Sequence, residues 1–153
     1  NDVRGRELQA QVDPEKLMND FFAAIEYLRA SPLGTGKVGI TGFCYGGGVT
    51  NAPAAPYPEQ DAAVPFYGRQ AKPEDVVKIK APLLLHFAEK DDNVNATWPA
   101  YEAALKKAGT TYEAYVYPGT NHGFHNDSTP RYDEAAAALA WERTLAWFRR
   151  YLG

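Results

Sequence analysis

The chain has 153 residues, of which 45% are hydrophobic and 13% aromatic, enough for one domain over residues 1–153 with a sizeable core. Its formal net charge of -3 leaves no basic footprint for nucleic acid or an anionic membrane surface, and no apolar run approaches the ~20 residues that cross a bilayer. A single cysteine, Cys44, cannot form an internal disulfide, which points to the cytoplasm; the chain opens on Asn1 rather than Met, so a longer parent would carry any targeting signal upstream.

Asp13 and Pro14 read as an N-cap and first helical residue, and Leu17, Met18, Phe21, Phe22, Ile25 and Leu28 then recur with helical period. An amphipathic helix should end near Ser31 and Pro32. Lys37 to Thr41 is a short strand leading into Gly42-Phe43-Cys44-Tyr45-Gly46-Gly47, which has the G-x-C-x-G-G form of a nucleophile elbow. In such a turn from strand to helix the nucleophile stands exposed above the sheet. Glycines two residues either side of it, here Gly42 and Gly46, are expected because a Cβ would collide with the crossing backbone. A lone cysteine is otherwise more often a small buried hydrophobe, and it is the position between these glycines that favours the nucleophile.

A helix from Tyr45 should be short or kinked near Pro53, since an interior proline costs about 3 kcal/mol. Ala62 to Tyr67 and Leu83 to Phe87 are apolar runs bounded by Gly or Pro, as buried parallel strands are. Thr97 to Lys107 is helical in period and stops at Gly109, and Tyr112 to Tyr117 is β-rich before Pro118 and Gly119. A long helix closes the chain after Thr129 and Pro130, with Ala138, Trp141, Leu145, Phe148 and Leu152 expected as its core stripe.

This alternation of strand and helix means an α/β fold, a parallel sheet with helices on both faces, whose functional loops lie at the C-terminal ends of the strands. The loop after Leu83–Phe87 offers Asp91, with Asp92 as the competing acid, and the loop after Tyr112–Tyr117 offers His122, with His125 as the competing base. A thiol becomes a good nucleophile when a base takes its proton and a third group orients that base. The chain order Cys, Asp, His is the one found in α/β-hydrolases. His86 sits inside an apolar strand and reads as a satisfied core histidine. Gly46-Gly47-Gly48 lacks the Lys-Ser or Lys-Thr of a phosphate loop, and His122, His125 and Asp127 lack a recognised zinc spacing, so neither a cofactor nor a metal is expected.

With these residues the chain resembles the dienelactone hydrolase family, the carboxymethylenebutenolidases. The likeness runs over roughly residues 14–152 and rests on Gly42 to Gly48, Val64-Pro65-Phe66-Tyr67-Gly68, Glu89-Lys90-Asp91 and Asn121-His122-Gly123-Phe124. It implies hydrolysis of an activated ester or lactone. Cys44 would attack the carbonyl, His122 act as base and then acid, and Asp91 orient His122. The Tyr45 backbone N–H would supply one oxyanion donor, and water would resolve the thioester. Phe43, Tyr67, Phe124 and Asn126 are expected against the substrate.

Two departures accompany the resemblance. Members that bind the dienelactone carboxylate commonly carry an arginine four residues after the histidine, where this chain has Asn126. The likeness is also to the C-terminal part of the family pattern, with about a hundred upstream residues, including early strands and a second oxyanion donor, lying outside it. The expected partners are a small-molecule ester or lactone and a complementing N-terminal segment or second chain that pairs with the strand at Val38 and Ile40. Two other readings remain open: a truncated, non-catalytic hydrolase-like module, and a protein whose cysteine senses oxidants.

Overall fold

The computed structural model describes residues 2–52 and 60–153. The chain divides into two compact units, one ending at Gly36 and the other comprising Lys37–Gly153.

The first unit holds helices α1 (Asp2–Gln9) and α2 (Pro14–Arg29). Asp13 caps α2 as its sequence suggests, accepting the backbone N–H groups of Glu15 and Lys16 while Pro14 opens the helix. Of the expected apolar stripe, Phe22 and Ile25 are buried, whereas Phe21 and Leu28 stay 38% and 55% exposed. Helix α1 was not anticipated, because its eight residues carry only two large apolar side chains, Val3 and Leu8. Their spacing gives no stripe to read.

Among the described residues, the second unit is built on a four-stranded, wholly parallel sheet in the order β1-β2-β3-β4. Its elements are β1 (Gly39–Phe43), α3 (Tyr45–Asn51), β2 (Ala62–Phe66), a 3-10 turn (Pro73–Lys78), β3 (Leu83–Lys90), α4 (Asp92–Asn95), α5 (Trp98–Ala108), β4 (Tyr112–Asn121) and α6 (Glu134–Leu152). Spatial order repeats chain order, as helical crossovers between parallel neighbours dictate. Strands β3 and β4 run three and four residues further than their apolar cores, because cross-strand pairing from Leu83–Tyr112 to Lys90–Asn121 carries Glu89, Lys90 and Gly119 to Asn121 along with it. The expected kink at Pro53 falls outside the described residues.

Period-two alternation divides the core. Ala62, Val64, Phe66, Leu84 and Ala88 pack toward α6 with Ala140 and Trp147, while Ala63, Leu83, Leu85 and Phe87 pack toward Tyr101 and Leu105 of α5 and toward Val76. Each fully buried Leu or Phe stabilises the fold by about 1.5–3 kcal/mol relative to leaving it in water. β2 is buried along its whole length and β1 is not, as its place at the end of the sheet requires.

The buried residues of α6 are Ala137, Ala140, Thr144 and Trp147, one residue away from the first part of the stripe expected, while Phe148 and Leu152 of that stripe are half-buried against the same core. Trp141 and Leu145 are 41% and 37% exposed. In that part of the helix the large apolar residues suggested the wrong face, because Ala140 packs into the core and Thr144 is needed as a hydrogen-bond partner. His86 Nε2 lies 3.1 Å from Thr144 Oγ1, whose own proton goes to the Ala140 carbonyl. Nε2 therefore carries the ring proton, and Nδ1 accepts the Tyr117 hydroxyl at 2.9 Å. Arg143 donates in turn to the Tyr117 oxygen at 3.1 Å.

His86 is thus a satisfied core histidine, 1% exposed, and burial followed by the charges of Arg143 and His125 lowers its pKa to about 3. The unfolded chain takes up this proton below an ordinary pKa of about 6.5 and the folded one does not. Stability from His86 is accordingly complete above pH ~6.5 and lost as pH falls toward ~3, by at most about 1.4 kcal/mol per unit. Urea unfolding at pH 7 and pH 5 should show a smaller acid loss in His86→Gln than in wild type. Equal losses would mean that His86 is protonated in the native state.

Candidate active site

Cys44 stands between β1 and α3 at φ 54 and ψ -111, one of two non-glycine residues with positive φ among those described, the other being Tyr67 at φ 35. Such backbone costs about 1–3 kcal/mol and persists only where the surroundings over-determine it. Those surroundings are close-packed backbone. A Cβ on Gly42 would lie 2.2 Å from the Gly46 carbonyl oxygen, so glycine is required there. Gly46 is different from expectation, since a Cβ on it meets nothing within 4 Å. The second obligatory glycine is Gly47, where a Cβ would come within 2.5 Å of the Phe66 carbonyl oxygen. Gly68 backs onto Gly47 so closely that its Cβ would lie 2.1 Å from the Gly47 carbonyl carbon. Together with the hydrogen bond from Cys44 N–H to the Phe66 carbonyl, 3.1 Å, these contacts bolt the end of β2 to the elbow.

Asp91 follows β3 and is 6% exposed. One of its oxygens caps α4 by accepting the Val94 N–H, and the other lies 2.6 Å from His122 Nδ1. Asp92 is exposed in the first turn of α4 and takes no part. His122 follows β4, and a chain turn from the Asn121 carbonyl to the Phe124 N–H fixes it there. With Asp91 accepting the Nδ1 proton, the free lone pair of a neutral His122 is on Nε2, as a general base requires.

Cys44 and His122 line one cavity of about 480 Å³ together with Phe43, Tyr67, Gly123, His125, Asn126, Asp127 and Arg131. No hydrogen bond joins the sulfur to His122 among the described residues; such contacts commonly tighten only when substrate binds. Three of the expected substrate contacts, Phe43, Tyr67 and Asn126, are on the wall. Phe124 is not. It is fully buried beneath Tyr67 and Tyr117, at ring distances of 5.5 and 4.9 Å, and supports the wall from behind.

Tyr45 begins α3, so its N–H is among those with no acceptor inside the helix. His125 packs its ring against Phe43 and Phe66, each 5.1 Å away, and its Nε2 is buried with no partner. Burial, and then the charge of Cys44, raise the Tyr67 pKa to about 12, against the His125 backbone and Arg131, which lower it. The sequence reading missed Arg131. Its guanidinium lies over Gly123, in ordinary contact at 3.6 Å from where a Cβ would be, eight residues earlier in the chain. A Gly-Phe-His run followed by an arginine is too common a pattern to have signalled it.

Among the described residues no helix is long and apolar enough to cross a membrane. Residues 3–152 match the dienelactone hydrolase family. A Saccharolobus solfataricus protein assigned as a carboxymethylenebutenolidase is 37% identical over 144 residues, which is 94% of this chain and 55% of that protein. The protein named usf from Aquifex pyrophilus is 37% identical over 92% of this chain and 68% of its own length. Among solved structures, a Klebsiella pneumoniae protein assigned as a dienelactone hydrolase superposes with a TM-score of 0.82 at 30% identity, covering 93% of this chain and 64% of that one. The chain therefore spans little more than half the length of the first of these relatives.

Proposed function

This chain belongs to the dienelactone hydrolase family, and on that premise we propose that it serves the hydrolysis of activated esters or lactones through Cys44. The observation that carries the reading is the Asp91–His122 pair at 2.6 Å, whose His122 shares one cavity wall with a cysteine held in a strained elbow. His122 takes the thiol proton and the thiolate adds to the substrate carbonyl. The Tyr45 N–H donates to the oxyanion, and the alcohol leaves with the proton that His122 returns. Water, deprotonated by His122, then attacks the thioester, releasing the acid and restoring the thiol. Asp91 holds Nδ1 protonated and orients the ring throughout. Phe43, Tyr67 and Asn126 contact the substrate, and the whole reaction needs no cofactor.

The relatives are longer than this chain, and among the described residues β1 has an unpaired outer edge in the sheet. Both support a complementing segment that pairs with β1, whether from the same polypeptide or another. Exposing the chain to p-nitrophenyl acetate, quenching it and mapping the adduct by mass spectrometry tests the chemistry, with sedimentation of the same sample reporting self-association. An acetyl group on Cys44 is the expected result. An adduct elsewhere would overturn the assignment, and none at all, in a chain that sediments as a well-behaved monomer, would favour the non-catalytic module.

A further inference from the structure

We infer that Tyr67 is a catalytic residue of this site, its hydroxyl donating a hydrogen bond to the negative charge that forms on the Cys44 sulfur. The inference rests on the proposed role of Cys44 as nucleophile and adds to it a donor that the triad does not contain.

Three observations of different kinds converge on the hydroxyl. The first is placement. Tyr67 is only 3% exposed, yet it forms part of the cavity wall that also holds Cys44, so the small part of it that is accessible opens on the site. The second is constraint. Its φ of 35 is a conformation that a tyrosine adopts only under compulsion. The compulsion comes from the elbow and β3: its N–H is held at 2.7 Å by the His86 carbonyl, Phe66 before it accepts the Cys44 N–H, and Gly68 after it is wedged against Gly47. Nucleophile and phenol thus ride on one interlocked piece of backbone. The ring is fixed as well, 5.0 Å from His122 and edge-on to Phe124 at 5.5 Å.

The third observation is a proton with no protein acceptor. Among the described residues no side chain or carbonyl takes the phenolic proton. A donor without an acceptor, inside a cavity whose nucleophile must become anionic, is the arrangement that stabilises a thiolate. Burial and the Cys44 charge both oppose ionisation of the phenol, which keeps its proton until about pH 12 and remains a donor wherever the thiolate exists. No proton is transferred in this role. The thiol proton goes to His122 as before, and Tyr67 lowers the cost of the charge left behind.

Tyr67→Phe removes one oxygen and keeps the ring contacts with His122 and Phe124, so the variant should fold. The test is the rate of Cys44 alkylation by iodoacetamide as a function of pH in the chain and in this variant. The other ionisable groups on the cavity wall, His122, His125, Asp127 and Arg131, are the same in both proteins, so a difference between the profiles belongs to the Tyr67 hydroxyl. The midpoint of the rise should move up by about one pH unit, a tenfold loss of thiolate at a fixed pH below it. Coincident profiles would overturn the inference. The outcome is separable from that of the function proposed above, because a shifted midpoint without any acetyl-Cys44 keeps the donor and removes the hydrolase, whereas acetylation with coincident profiles does the reverse.

Discussion

Cys44→Ala should reduce acyl transfer to below about a thousandth of the wild-type rate, and His122→Ala should come close to it. Members of a catalytic unit fail together, because each is useless without the others. His125→Ala should cost far less: its ring is on the same cavity wall, but its Nε2 has no partner and no carboxylate orients it. Asp91→Asn should lie between these and the wild type, about a hundredfold down, since an amide on Nδ1 spoils the tautomer and leaves the nucleophile in place. Initial rates with p-nitrophenyl acetate, on chains whose circular dichroism matches wild type, give the comparison. Equal losses for the two histidines, or a larger loss for Asp92→Asn than for Asp91→Asn, would reverse the roles.

The second large effect concerns stability. Gly68→Ala places a Cβ 2.1 Å from the Gly47 carbonyl carbon and 2.5 Å from the Gly48 nitrogen, and these are backbone atoms that no rotamer change can move. Helix α3 would have to shift, at a cost of about 3 kcal/mol or more, and Cys44 would shift with it. Gly46→Ala is the counterpart. Nothing lies within 4 Å of the added methyl, and alanine in the helix is better than glycine by about 1 kcal/mol, so the variant should be as stable as wild type or slightly more so. Thermal unfolding of the two variants decides it. A Gly68→Ala protein that melts with the wild type would mean that the contact between β2 and the elbow is looser than its distances say.

That contrast shows where the sequence was legible and where it was not. The strand, the elbow and the pair Asp91 and His122 could be read because each stands at a junction of apolar run and loop, and parallel topology sends such junctions to one edge of the sheet. The G-x-C-x-G-G pattern told that glycine was needed around Cys44, but not which ones. The requirement at Gly47 comes from Phe66 and Gly68, on a different strand, and only the packed backbone reveals it. The core face of α6 was misread for a similar reason. Periodicity locates a stripe to within one residue, and the choice between Trp141 and Ala140 was made by how near the sheet the helix must come. The constraint on Tyr67 was beyond reach altogether, being a relation between segments far apart in the chain.

The order of the sheet carries a consequence for how the protein comes into being. Since each strand lies beside the one before it, the sheet can be laid down strand by strand as the ribosome releases the chain, each closure spanning one crossover. The elbow cysteine sits after the first of these four strands and His122 after the last. On the proposed reading, the newborn chain carries its thiol, from β1 until β4, without the base that would sharpen it. On that reading a chain stalled or cut short before β4 is chemically quiet, and the appearance of a reactive thiol marks the moment when β4 has joined the sheet.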